Sequence, residues 1–179
     1  GVLLALLQRE RNGQGAFVEV SLEEAALTGL INQASNYLMA GAVAKPIGTL
    51  HPNIAPYGEI LTCSDGGRII LAVGSDAQFR ELCMVLGCPE LTKDPHFVSN
   101  TERVRHRASL AELLAGPAAL RERDPLLRDL IPAGVPAGAV RTMDEVMATP
   151  AAQAMILRST IDGVSTERIG GNAFRIEPL

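Results

Sequence analysis

The side chains with the most chemistry per unit length lie between positions 51 and 58, in the run His51-Pro-Asn-Ile-Ala-Pro-Tyr-Gly. A histidine, an asparagine and a tyrosine supply hydrogen-bonding groups that a plain connector does not need. Two prolines and a glycine keep regular structure out of the run. It reads as a domain crossover carrying part of a site, or as an ordinary proline-rich linker, and local sequence alone favours the linker. The other reactive groups are scattered. His51, His96 and His106 lie far apart in sequence with no cysteine at ligand spacing, a pattern that points away from zinc. No phosphate-binding loop, GxSxG elbow or HExxH helix occurs. Carboxylates are plentiful, but spacing marks none as one of a catalytic pair. Arg103, Arg105, His106 and Arg107 form a basic cluster suited to an anion. The competing reading, a solvated helix face paired with Glu102 and Glu112, is the favoured one.

These side chains need elements to carry them, and bulk properties bound what those are. At 179 residues the chain forms one large domain or two small ones with a real core. Apolar residues at 47% and charged ones at 20% mark a globular chain rather than a disordered one. Aromatic residues at 3%, with no Trp, argue against stacking platforms for single-stranded nucleic acid. A net charge of −4 argues against DNA or a membrane surface as partner. The apolar run Val2 to Leu7 is too short to span a bilayer, and Glu10 with its neighbouring arginines does not fit a signal peptide. Cys63, Cys83 and Cys88 form no CxxC pair, which fits reduced thiols and makes the cytoplasm the expected compartment. With no initiating Met, the chain opens inside what reads as a helix, so the natural polypeptide is expected to begin further upstream.

In order, the pattern predicts a helix over Val2–Arg11, a turn at 12–15 and a short strand over Ala16–Val20. The glycines of that turn follow a helix and open a strand, the wrong context for a dinucleotide fingerprint. Ser21 and Glu24 make a capping box for a helix from about Leu22 to Ala40, with Gly41 as its C′ residue. Past the opening run, Glu59–Cys63 and Arg68–Val73 read as a hairpin closed by Asp65-Gly66. Ser75 and Gln78 start a helix through Leu86, Ser99-Asn-Thr caps another, Gly116-Pro117 breaks it, and a further helix runs to about Ile131. Residues 133–138 (AGVPAG) form a second crossover. Thr142 and Glu145 then cap a short helix stopped at Pro150, and Met155–Ile161 and Phe174–Ile176 read as strands around a turn at Asp162-Gly163.

The local motifs also carry a resemblance. The run 5–15 (ALLQRERNGQG) followed by 18–25 (VEVSLEEA) resembles a stretch of the family III CoA-transferases, the formyl-CoA transferase-like and carnitine-CoA transferase-like enzymes. It continues in register through His51-Pro, Pro56-Tyr-Gly, Asp65-Gly, 72–79 (AVGSDAQF), Asp94-Pro-His-Phe, Asn100, 103–107 (RVRHR), 133–138, 143–146 (MDEV) and 171–175 (GNAFR). Each piece is weak alone; the order over nearly the whole chain is not. The resemblance implies a central to C-terminal portion of such an enzyme. Its fold class is then α/β, a partial Rossmann-like large domain with an inserted small α+β domain. The implied boundaries are 1–45 for the large domain, 46–56 for linker and active-site loop, 57–131 for the small domain, 132–141 for a second linker and 142–179 for the return to the large domain.

The resemblance further implies CoA transfer between an acyl-CoA thioester and a carboxylic acid by way of aspartyl-anhydride and aspartyl-CoA intermediates. The family's nucleophilic aspartate is expected upstream of position 1, so no residue here is assigned a catalytic role. No metal and no cofactor beyond the coenzyme A thioester substrate is expected. Two ring-shaped subunits threaded through one another are the expected dimer, with neither nucleic acid nor membrane as partner. The family's glycine-rich loop falls on Pro52 to Ala55, so substrate contact is assigned to His51, Asn53, Ile54, Ala55 and Tyr57. None of the five is glycine. A stiffer, more apolar loop would suit a bulkier acyl group than formyl or oxalyl. An α-methylacyl-CoA racemase-like enzyme of the same fold, and an inactive truncated segment, remain the alternatives.

Overall fold

The computed structural model of the chain describes residues 1–171, 173 and 177. It divides into two compact units, Gly1–Pro46 and Ile47–Leu179.

The first unit is helical among the described residues. Helix α1 (Val2–Asn12) ends on Gly13 in the left-handed region. Ser21 caps α2 (Leu22–Gly29) by accepting from the Glu24 amide, and Gly41 ends α3 (Ile31–Ala40). The sequence predicts one helix over 22–40, but it is divided at Leu30, where Ile31 takes φ 34°. Thr28 and Gly29, both weak helix formers, precede the break, and the Leu30 amide bonds to Leu27 in a tighter turn. The strand expected over Ala16–Val20 is not formed: no ladder partner lies beside it among the described residues, and a strand is stabilised by its neighbour. No residue of α1, α2 or α3 is buried.

The second unit holds the core. Strands β1 (Tyr57–Thr62) and β2 (Arg68–Ala72) form the expected hairpin, and β3 (Ala137–Val140) joins β2 antiparallel, giving the order β1-β2-β3. That third strand lies in the stretch read as a second crossover. Its small residues carry no β signal, and the open edge of β2 recruits them, with Ile70 opposite Gly138. Asp65 shapes the hairpin turn by accepting from the Gly67 amide at 3.0 Å, and its other oxygen accepts from the Arg123 amide at 3.2 Å.

Three helices supply the core's other side: α4 (Asp76–Leu86), α6 (Arg107–Ala118) and α7 (Arg123–Leu130). Leu61, Ile69, Leu71 and Val73 pack with Phe79, Leu82, Leu86, Leu110, Leu114, Leu126 and Leu130 in one buried cluster. Ser75 and Gln78 form the full capping box at the start of α4. The short helix α5 (Asn100–Arg105) turns at His106 into α6. The predicted break at Gly116-Pro117 falls inside the last turn of α6, and the helix ends one residue later, at Ala118.

After β3 come α8 (Met143–Met147), with its Thr142–Glu145 capping box, and α9 (Pro150–Met155). Pro150 does not end the helical region but opens a second helix at its first position, where a missing N–H is harmless. A separate hairpin follows, β4 (Ile156–Ile161) with β5 (Val164–Ile169). The partner of β4 is thus Val164–Ile169; the strand expected over Phe174–Ile176 lies outside the described residues, as does most of the 171–175 motif.

Candidate functional site

The run 51–58 is held as one shape by side chains from α5 and α6. It contains a cis peptide bond between Ala55 and Pro56. The His51 amide donates to the Tyr57 carbonyl at 2.8 Å, and the Asn53 amide donates to His51 Nδ1 at 3.1 Å. That contact makes Nδ1 an acceptor and leaves Nε2 to carry the proton of the neutral ring. The His51 and Tyr57 rings meet edge to face, 5.3 Å between centroids.

Gly58 ends the run at φ 91°, and a Cβ there would stand 1.9 Å from the Thr49 carbonyl oxygen. The hydroxyl of Thr49 donates back to the Gly58 carbonyl at 2.7 Å. Only glycine allows this close approach, which bulges the start of β1 between Tyr57 and Ile60.

Three side chains then satisfy the backbone of the run. Asn100 Oδ1 accepts from the Ala55 amide at 3.1 Å while its Nδ2 donates to the Asn53 carbonyl at 2.8 Å. Arg103 Nε donates to the Ala55 carbonyl at 2.8 Å. Arg107 donates through one terminal nitrogen to the carbonyls of both His51 and Ile54. Hydrogen bonds from a charged donor to a carbonyl contribute about 1.5–3 kcal/mol each, so this is a costly set to break.

The two arginines are themselves fixed. Arg103 is 1% exposed, donates to the Phe97 carbonyl at 3.0 Å and pairs with Asp76 at 2.6 Å. Its guanidinium lies over the Phe79 ring, 4.5 Å from the centroid. Arg107 pairs with Glu59 of β1 at 2.9 Å. Glu59 is buried, and its Oε2 has no hydrogen-bond partner among the described residues. Burial pushes its carboxyl above the ordinary value, partly opposed by the Arg107 charge.

The favoured reading of the basic cluster as a solvated face therefore needs correction. Arg105 behaves so, pairing with Glu102 at 2.8 Å, and His106 Nε2 stands 3.6 Å from the same carboxylate. Arg103 and Arg107 turn inward because buried carbonyls need donors and the planar guanidinium reaches several at once. Nor does this pair serve as an anion site, since both guanidiniums are engaged by protein oxygens.

Of the five residues assigned to substrate, Asn53 is exposed, Tyr57 is 37% exposed, and His51 and Ile54 are half-buried. Ala55 is fully buried, so its side chain offers nothing to a ligand in this arrangement; its amide and carbonyl are the points by which Asn100 and Arg103 hold the run. Asn100, Arg103 and Arg107 are what sequence reasoning missed. Their spacing of three and then four residues was the available signal, because it puts them on one helical face while Arg105 points elsewhere.

Two other clusters form only in three dimensions. His96 and His106 meet edge to face at 4.5 Å, with Asp94 Oδ1 2.9 Å from His96 Nδ1. The His96 amide and ring hold the Asp94 carboxyl below its ordinary value. A polar cleft of about 530 Å³ lies over the hairpin turn, between Asp65, Arg68, Arg123 and Glu145. Its charges are largely spent on one another, Arg123 bonding both Asp124 and Glu145. Among the described residues, no group of three or more His, Cys, Asp or Glu is placed to hold a metal ion.

The profile of CoA-transferase family III matches residues 1–176. The chain belongs to CoA-transferase family III. It is 34% identical over 158 residues to the succinate–glutarate CoA-transferase of Agrobacterium fabrum, covering 88% of this chain and 39% of that one. It is 32% identical over 170 residues to the succinyl-CoA–D-citramalate CoA-transferase of Chloroflexus aurantiacus, covering 95% and 41%. The crystal structure of a CaiB/BaiF family protein from Brucella suis matches 98% of this chain and 45% of its own, with 39% identity and a TM-score of 0.66. The family resemblance and the mixed α/β fold read from the motifs thus stand. The chain spans about two fifths of the length of the curated relatives it matches.

Proposed function

We propose that the complete polypeptide moves coenzyme A between an acyl-CoA thioester and a free carboxylic acid, with residues 51–58 covering the reacting acyl group. The observation that carries the reading is the match to CoA-transferase family III over residues 1–176. In this proposal an aspartate outside residues 1–179 attacks the thioester carbonyl, expelling CoA thiolate and forming a mixed anhydride. The thiolate adds to the aspartyl carbonyl and releases the first acid, leaving an aspartyl-CoA thioester. The acceptor carboxylate then attacks that thioester, and the returning thiolate takes the new acyl group. Every bond broken is replaced by one of similar energy, so the chemistry succeeds only while water is kept from the anhydride.

A cover for such an intermediate has to be closely held, and the hydrogen bonds from Asn100, Arg103 and Arg107 supply that. The run offers Asn53 and Tyr57 as exposed polar groups and Ile54 as an apolar one. A tethered, partly apolar cover suits an acid bulkier than formate or oxalate; relatives are named for succinate, glutarate and D-citramalate and also for oxalate, so this reading rests on the cover alone. The enzyme works in this reading as an interlocked cytoplasmic homodimer.

The test is CoA exchange by the complete polypeptide, followed chromatographically with succinyl-CoA and a panel of carboxylic acids. Exchange onto dicarboxylates larger than oxalate is expected, with no turnover by residues 1–179 alone. A clear preference for oxalate removes the argument from the cover. Epimerisation of a 2-methylacyl-CoA without exchange replaces the transferase reading by a racemase.

A further inference from the structure

We propose that Cys83 and Cys88 are a redox pair that closes to an intramolecular disulfide across the C-terminus of α4 when the protein meets a peroxide. Gly87 adopts φ 73°, its amide donates to the Met84 carbonyl at 3.2 Å, and the Cys88 amide reaches back to the Cys83 carbonyl at 2.9 Å. This is the Schellman arrangement, in which the third residue from the helix end and the second beyond the glycine bring their side chains together. Two apolar residues usually make that contact. Here both are cysteines, and both are free thiols.

The backbone bond between the two residues keeps their Cα atoms within about 7 Å, the span a disulfide needs. Cys83 is fully buried beside Leu82 and Leu86, whereas Cys88 lies just beneath the surface between exposed Gly87, Pro89 and Glu90. The neighbouring Cys83 holds the Cys88 thiol below its ordinary value, whereas Cys88 and burial raise that of Cys83. Cys88, the nearer of the two to solvent, is thus the first to meet the peroxide, with Cys83 behind it to resolve the product. Cys63 is the internal contrast: buried on the other side of the hairpin turn, it has no thiol beside it, and burial pushes it up.

The chemistry balances without any further reagent. The Cys88 thiolate attacks one peroxide oxygen, the O–O bond breaks, and hydroxide leaves with the proton from Cys83, giving a sulfenic acid and water. The Cys83 thiolate then attacks the sulfenic sulfur, forming the S–S bond and expelling hydroxide, which takes from solvent the proton that Cys88 lost on ionising and becomes the second water. Two thiols are oxidised by two electrons and one peroxide is reduced to two waters; a dithiol reverses the change.

The test uses the full chain, exposed to hydrogen peroxide, then denatured, alkylated and cut with trypsin. Cleavage after Arg80 and Lys93 places both thiols on one peptide, 81–93, and Cys63 on another. The expected result is a peptide 81–93 that is unalkylated and lighter by two hydrogens, restored to double alkylation by dithiothreitol, while Cys63 stays alkylated. Closure should also be faster in the folded chain than in urea, because the helix end positions the sulfurs. In Cys83→Ser, the sulfenic acid at Cys88 should persist and be trapped by dimedone. Double alkylation of 81–93 after peroxide, a disulfide to Cys63, or equal rates folded and unfolded would each overturn the proposal. The wild-type measurements decide it even where the variant fails to fold.

Discussion

At the scale of single residues, Arg103 shows how burial converts a charge into a scaffold. Its partners divide into an exposed carboxylate, Asp76, and two carbonyls of the chain interior, Ala55 and Phe97. Arg103→Ala leaves those carbonyls without a donor, at about 1–3 kcal/mol each. A loss of about 3 kcal/mol is therefore expected by urea denaturation, and Arg103→Lys should not restore it, because one ammonium cannot reproduce a planar fork. Asp76→Asn should cost less than Arg103→Ala, since an amide oxygen can still accept from Arg103 and both carbonyls keep their donor.

Glu59 makes a prediction about pH. Its folded carboxyl titrates above the ordinary 4.5, chiefly through burial. The folded state therefore binds this proton more tightly than the unfolded one. Its contribution to stability is complete below the unfolded value and is lost as pH rises through the raised folded value. Glu59→Gln removes that slope, so wild-type stability should fall relative to the variant across this window in a pH series of denaturation curves. Parallel curves would show that Glu59 ionises without cost.

At the scale of elements, the site consists of a run without regular structure that depends on two neighbouring helices. The spacing of Asn100, Arg103 and Arg107 gives them a common face, and the turn at His106 separates α5 from α6 between the two arginines. Asn100 bonds the run twice, at the Ala55 amide and the Asn53 carbonyl. Asn100→Ala should loosen the run without unfolding the sheet. Hydrogen exchange should then accelerate at the Ala55 amide, by about tenfold for each 1.4 kcal/mol lost, while amides of β2 keep their protection. Uniform acceleration across the unit would mean that Asn100 supports the whole core rather than the run.

At the scale of the whole molecule, the two units differ in how they handle apolar surface. The second buries a continuous cluster of leucines, isoleucines and valines. In the first, Leu3, Leu4, Phe17, Leu22, Leu38 and Met39 are each more than two-thirds exposed. An apolar groove of about 400 Å³ runs between Leu30, Ala34, Tyr37, Leu38 and Val43 of that unit. So much uncovered apolar surface is costly in water. The 179-residue chain alone should self-associate in light scattering, with the apparent mass rising with concentration; a monodisperse monomer would contradict this. Among the described residues, no helix is long and apolar enough to cross a membrane.

What the sequence determined by itself is local. Capping pairs such as Ser75–Gln78 and Thr142–Glu145, the Asp65-Gly66 turn and the helix-ending Gly41 and Gly87 act within a few residues, so their chemistry can be read in order along the chain. The order of motifs was enough to identify the family. Tertiary structure decided the rest. β3 became a strand because an edge was open beside it, and Ala16–Val20 did not because no strand pairs with it among the described residues. Arg103 and Arg107 left the solvated face because carbonyls more than forty residues earlier in the chain required donors. Such pairings are selected by proximity in the folded state, which propensity and spacing do not encode.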